Sequence, residues 1–315
     1  ILRASAGRVK PGCRGPCGRL SRVPVFDLVA AGEAFEDLVF TGLPRLPREG
    51  EELRTDGFTR APGGGAIITA VAGARDGLRC RVVSGLGQTA VRALRAEGIA
   101  VTNLLRAGEP PAVSAALSTA RNRTFVTFTG VNDRLERRLF APLRAAAARH
   151  VHFAFCPARP GRWRPVVRAL RRRGVGTSWD FGWNERLAAD PGFLSLVETL
   201  DYFMVNEQEA PLYAGRTRLA AAAAFWRQRG GCTIVKLGAG GSRWLSRDLD
   251  ITVAAPVVRV VDTTGAGDAF NGGFLAARLR GASPAAALGA GNRMGAFSVR
   301  GAGGLAGLPR TRRGR

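Results

Sequence analysis

The run Asp262-Thr-Thr-Gly265-Ala-Gly267-Asp268 joins an apolar stretch, Val257 to Val261, to a helical one in which Phe270 and Phe274 fall four residues apart on one face. Glycines allow a sharp turn and leave the amides of residues 265 to 268 uncovered, and the start of a helix adds its positive end. Together these make an anion hole, suited to a phosphoryl group whose oxygens redistribute charge in a transition state. Asp268 opens that helix, where it can take the proton of an attacking hydroxyl. The helix dipole is expected to keep its carboxylate ionised at neutral pH. An Asp at this place also serves as a plain helix cap.

Two common nucleotide fingerprints do not account for the turn. The pattern G-x-x-x-x-G-K-[ST] is absent, and Gly265-Ala-Gly267 lacks the third glycine of G-x-G-x-x-G. A dinucleotide-binding unit also places its glycine turn after a first strand, not near the end of a chain. An oxidoreductase is therefore disfavoured.

The elements that must position this turn alternate along the chain. Strands are expected near Val25–Ala31, Arg81–Ser84, His150–Phe155, Thr177–Asp180, Tyr202–Val205, Thr233–Leu237 and Val257–Val261. Helices are expected from Ile67, and over Ala90–Glu97, Leu139–Arg149, Trp163–Arg172, Leu219–Arg229, Asp268–Arg280 and Pro284–Phe297. Such alternation argues for βαβ units and a mostly parallel sheet. Phe40–Arg60 and Ala112–Phe128 break the rhythm and read as a small β-rich excursion over one face of it.

The bulk numbers agree with one large α/β domain: 315 residues, 46% of them hydrophobic. Residues 1–20 fit no element and are expected to be disordered or a mis-called start, leaving a domain over 21–309 and a basic tail at 310–315. No apolar run is long enough for a membrane span and no secretory signal is visible, so a cytoplasmic location is expected. Cys13, Cys17, Cys80, Cys156 and Cys232 form neither a disulfide framework nor a zinc spacing. His150 and His152 alternate on a strand with nothing nearby in sequence to complete a ligand set, and are read as core or surface residues.

A net charge of +23 ordinarily suggests nucleic acid. Here only Lys10 and Lys236 are lysines, and the arginines are spread along the whole chain. The local run Arg168–Arg173 sits on an expected helix with an apolar opposite face, so it reads as a solvated surface, and no nucleic-acid partner is expected.

The Asp262–Asp268 run closely resembles the C-terminal signature of the ribokinase-like (PfkB-type) carbohydrate and nucleoside kinases. That resemblance implies a three-layer α/β sandwich with a mostly parallel central sheet and a small β lid, here from about 33–60 and 112–128. It implies ATP-dependent phosphorylation of a hydroxyl on a sugar or sugar derivative. Gly265, Ala266 and Gly267 would form the anion hole and Asp268 would be the general base. Asp37, after Gly32, resembles a family aspartate that holds substrate hydroxyls, and Gly63 and Gly64 resemble the di-glycine motif that approaches the substrate. Asn206 and Glu209 match an N-x-x-E motif, with Glu209 placing Mg²⁺ through water. Lys236, Gly238 and Gly240, with Thr264 and Asn292, resemble the residues that border the nucleotide. Some members also require a monovalent cation such as K⁺ near the Asp262 loop, and lid edges can pair two subunits into a homodimer.

The chain departs from the family where Ile68 replaces a substrate-binding asparagine and where Phe35 stands at a commonly small or polar position. A more apolar pocket keeps a nucleoside acceptor open, with Phe35 stacking on a base. Simple packing of Phe35 and Ile68 is the plainer alternative. The stretch from Asp180 to Arg186 resembles a D-x-N-x-R motif with two extra residues, so Asp180 either contacts substrate or caps its strand. Val131-Asn132-Asp133 echoes a Gly-Ala-Asn stretch. A non-catalytic ligand-binding or regulatory relative is the reading from another class.

Overall fold

The computed structural model describes residues 26–119 and 123–310. Lys10, Cys13, Cys17 and the tail beyond Arg310 lie outside the described residues. In chain order the strands are β1 (Phe26–Gly32), β2 (Phe35–Leu43), β3 (Gly57–Gly63), β4 (Cys80–Ser84), β5 (Ala100–Asn103), β6 (Val113–Thr119) and β7 (Arg123–Phe128). They continue as β8 (Ala148–Ala154), β9 (Gly176–Asp180), β10 (Tyr202–Asn206), β11 (Cys232–Lys236), β12 (Ser242–Leu245) and β13 (Asp250–Val253).

Nine of these form one sheet in the order β13-β12-β11-β10-β9-β8-β1-β4-β5. Every pair from β11 to β5 is parallel, and β12 and β13 close one edge antiparallel. Strands covered on both faces must be apolar throughout, and Leu28 to Ala31 of β1 are all buried. One face packs on helices Asn132–Arg144, Arg164–Arg172 and Leu219–Arg227; the other packs on Gly65–Arg75, Ala266–Leu279 and Pro284–Ser298. Three layers result, as a doubly covered parallel sheet requires.

A second sheet, β3-β2-β6-β7, stands apart from the first. Its outer pairs are antiparallel and β2 runs parallel to β6. One face carries Asp37 and Ser114, and the other carries Phe40, Phe58, Val126 and Phe128.

Several expectations change. Val257–Val261 is not a strand: it is an irregular segment with Val257, Val260 and Val261 exposed to solvent. Its β-branched residues lack a neighbouring strand because β13 already ends the sheet. The helix expected over Leu139–Arg149 instead covers Asn132–Arg144, because β8 takes over at Ala148. Strands β5, β12 and β13 and the short helices Glu185–Ala188, Phe193–Val197 and Glu209–Ala214 were not expected. Arg168, Arg171 and Arg172 do lie exposed on a helix that buries Val166, Val167 and Leu170. His150 and His152 are core residues, bridged by Ser178 Oγ at 2.8 Å from a ring nitrogen of each.

Candidate active site

Residue Gly265 has φ +70°, a left-handed conformation that glycine adopts freely, and the helix begins directly after it at Ala266. A Cβ on Gly265 would meet Ile68 Cδ1 at 2.6 Å. Buried Ile68 therefore packs beneath the turn, as the plainer reading of that position has it. The turn is braced from the other side by Asp262, whose carboxylate accepts the amides of Thr264 at 2.6 Å and Gly303 at 2.7 Å. The Ala266 amide donates back to Thr263 O at 3.3 Å, contrary to the expectation that it is uncovered, so the amides of Gly265, Gly267 and Asp268 are the candidates for holding an anion at this helix start.

Asp268 lies in the first turn of that helix, and Thr69 Oγ1 donates to its carbonyl at 3.1 Å. Its carboxyl group reaches back over the helix of Gly65, where a Cβ would stand 2.9 Å from Oδ1. Burial, and then the charges of Asp180 and Glu209, push the carboxyl up to about 7 against the pull of Lys236. The helix dipole thus does not hold Asp268 at an ordinary carboxylate value, because desolvation and like charges outweigh it.

Beside the turn is a buried ion pair. Lys236, at the end of β11, donates from Nζ to Asp180 Oδ2 at 2.5 Å, and Asn271 Nδ2 donates to the same oxygen at 2.8 Å. Burial works against both charges, yet Lys236 holds Asp180 below its ordinary value, while Asp180, Glu209 and Asp268 hold Lys236 above its own. The structure places Asp180 in this pair, with its second oxygen accepting the Gly182 amide at 3.3 Å. Glu209 sits one strand away. Its Oε2 accepts the Asn206 amide at 2.9 Å while Asn206 Oδ1 accepts the amides of Gln208 and Glu209, a reciprocal cap that fixes both side chains. Burial and then Asp180 raise the Glu209 carboxyl above its usual range.

Asp37 projects from β2 towards Gly63, where a Cβ would overlap its carboxylate at 1.9 Å. Gly64, at φ +95°, starts the helix Gly65–Arg75. Burial and then the Asp262 charge raise Asp37 to about 6. Phe35, two residues before it, lines a small recess with Pro62, Leu86, Ala90 and Pro111 between the small sheet and the body.

On the far side of the turn is a cleft of about 330 Å³, within the range of small-ligand pockets. Lys236, Gly238, Ala266, Gly267 and Asn292 form part of its wall. Asn292 also ties the late helix to the sheet edge, donating to Val253 O at 2.8 Å and Ala254 O at 3.2 Å. Gly240 and Thr264 are absent from the wall, and their neighbours Gly241 and Thr263 are in it. Sequence reasoning missed Val257, Val258 and Val260, which line the cleft because they are not paired in a strand. Phe270, Ala296 and Val299 complete an apolar wall, and only the one-face spacing of Phe270 and Phe274 hinted at it.

The pfkB family carbohydrate kinase profile matches residues 26–311. The chain is 25% identical to the ribokinase of Haemophilus influenzae over 281 residues, covering 85% of this chain and 90% of that one. A match to an uncharacterized sugar kinase of Archaeoglobus fulgidus, 34% identical over 117 residues, is confined to 37% of this chain and 46% of the relative. Among solved structures, Arabidopsis thaliana ribokinase complexed with ribose and ATP aligns with a TM-score of 0.73 at 24% identity, covering 91% and 96% of the two chains. An E. coli protein described as a ribokinase II, in complex with ATP and Mg²⁺, aligns with a TM-score of 0.72 at 22% identity, covering 90% and 96%. With a profile match across nearly all of the described residues and the fold shared over nine-tenths of the chain, this protein belongs to the pfkB family of carbohydrate kinases.

Proposed function

We propose that the protein transfers the terminal phosphoryl group of ATP to a hydroxyl of a sugar or sugar derivative. One observation carries this reading. Asp268 follows Gly267, which lines the apolar cleft, and its carboxyl group meets Gly65, two residues after the Gly63 that Asp37 covers. The cleft takes the nucleotide, whose γ-phosphoryl reaches the amides of Gly265, Gly267 and Asp268. Asp37 and the Gly63–Gly64 backbone orient the acceptor. Asp268 receives the hydroxyl proton as the new oxygen–phosphorus bond forms and the bond to ADP breaks.

The residues fit a magnesium ion held mainly by phosphate. Among the described residues no group of three or more His, Cys, Asp or Glu could cage a metal, whereas fixed, buried Glu209 offers an oxygen to a hydrated ion. Mg²⁺ keeps several waters and uses few carboxylates, and when bound it would neutralise phosphate charge. Asn206 would hold Glu209 in place for it.

A sugar acceptor is proposed first because the matching family model is one of carbohydrate kinases, while half-buried Phe35, in the wall of the recess, keeps a nucleoside as the second reading. The small sheet would cover the acceptor with its Asp37 face and exclude water. Among the described residues nothing covers its other face: Phe58 is 55% exposed, Val126 65% and Phe128 55%, beside the edge strand β7. A second copy of the chain is the proposed occupant of that face, since an open apolar edge pairs readily with its own kind.

The experiment is a panel of sugars, sugar acids and nucleosides assayed for Mg²⁺-dependent ADP formation. Turnover with a sugar class supports the reading, turnover with nucleosides alone replaces it, and ATP binding without turnover on any acceptor favours a binding protein.

A further inference from the structure

Lys236 is the only lysine among the described residues; all their other long cationic side chains are arginines. Its surroundings explain why. The ammonium lies 2.5 Å from Asp180 Oδ2, and a Cβ on Gly267 would come within 3.1 Å of Nζ. A compact point charge fits between the anion-hole turn and Asp180, where a planar guanidinium fork is too wide.

An ammonium has three N–H donors, and Asp180 accepts only one of them. Among the described residues the remaining donors have no protein acceptor, and Lys236 is the one cationic residue in the wall of the nucleotide cleft. A side chain needed only to neutralise Asp180 has no reason to border the cleft with donors to spare.

Resting on the kinase reading, we propose that Lys236 is a catalytic residue whose ammonium, anchored by Asp180, donates to a γ-phosphoryl oxygen of ATP during transfer. The acceptor oxygen bonds to phosphorus, the bond from phosphorus to the ADP oxygen breaks with its electron pair leaving on ADP, and the acceptor proton passes to Asp268. Lys236 keeps its own proton throughout and balances the charge that moves across the phosphoryl oxygens. Asp180 and Asn271 are positioning residues in this arrangement, since they fix the ammonium without touching the reacting atoms.

The competing explanation is a structural counter-ion. Removing Lys236 alone would strand a buried carboxylate and could unfold the protein, so the test compares Asp180→Asn with the double variant Asp180→Asn/Lys236→Met, in which no unpaired charge remains. If Lys236 acts on the phosphoryl group, kcat falls by a further factor of about 100 from the single to the double variant, with acceptor KM within about threefold. Equal kcat in the two variants overturns the proposal.

A second arm needs no acceptor: calorimetric affinities for Mg·ATP and Mg·ADP. The double variant is expected to lose about tenfold of its preference for ATP over ADP relative to the single variant, the size of one charge-assisted hydrogen bond. An unchanged preference overturns the role of Lys236 alone. Wild-type protein that binds neither nucleotide overturns the kinase reading together with it.

Discussion

Gly65 and Asp268 come from opposite ends of the chain and meet so closely that a Cβ on the glycine would stand 2.9 Å from the aspartate Oδ1 and 2.9 Å from the Ala154 Cβ. The proposed base is therefore seated in a space that only a hydrogen atom leaves open. Gly65→Ala should push the carboxyl group out of line and lower kcat by about 100-fold, the cost of a misplacement of an ångström or less, with ATP affinity little changed. Steady-state kinetics on the purified variant check this, and wild-type kcat in Gly65→Ala would show that Asp268 is not held there for chemistry.

Asp268 is raised to about 7 by burial and by Asp180 and Glu209, and it must be ionised to accept a proton. The kcat/KM profile should therefore climb about tenfold per pH unit on the acid side and level off above about 7. The same shift works on stability. The unfolded chain ionises Asp268 near its ordinary value and the folded chain near 7, so the folded state loses ground, by a few kcal/mol, as pH rises between those two values. Asp268→Asn should thus be more stable than wild type at pH 8, with the difference vanishing towards pH 4. Denaturant melts of both proteins at the two pH values measure it.

The Asp37 carboxylate fills the place that a Cβ on Gly63 would take. Gly63→Ala should displace Asp37 and raise acceptor KM by about tenfold or more, and Asp37→Asn should lower kcat/KM for the acceptor by about 100-fold, as expected where a charged hydrogen-bonding partner of a substrate hydroxyl is lost. Both variants should bind Mg·ATP like wild type in a titration. Loss of ATP binding instead would move Asp37 to the nucleotide side.

The sequence was most readable where chemistry is local. Gly265, Gly267 and Asp268 are neighbours along the chain, so their turn, helix start and carboxylate could be inferred together. Alternating patterns likewise revealed the core of the parallel sheet, because strands such as β1 are apolar on both faces. The Lys236–Asp180 pair was hidden, since its partners are 56 residues apart and only the adjacency of the β9, β10 and β11 ends brings them together. Val257–Val261 was misread for a related reason: β-branched residues suit a strand, but whether a neighbour exists to pair with depends on the whole sheet. Asp268 shows the third limit, because a helix dipole is visible in sequence while the burial and like charges that overrule it are not.

The bare face of the small sheet carries Phe58, Val126 and Phe128 together. If a second copy covers it, sedimentation velocity should show a dimer, and Phe58→Lys with Phe128→Lys should give a monomer of unchanged secondary structure, because like charges cannot be buried against each other. A wild-type monomer at tens of micromolar would remove the dimer from the account.

The central claim is that Asp268 takes the acceptor proton during phosphoryl transfer. The most direct test is single-turnover transfer from Mg·ATP to the best acceptor of the panel, in wild type and in Asp268→Asn, with Mg·ATP affinity measured alongside. The chemical step should be slower by about 1,000-fold in the variant, at the scale of a lost general base, with nucleotide binding preserved. Transfer at a near wild-type rate in Asp268→Asn would contradict it.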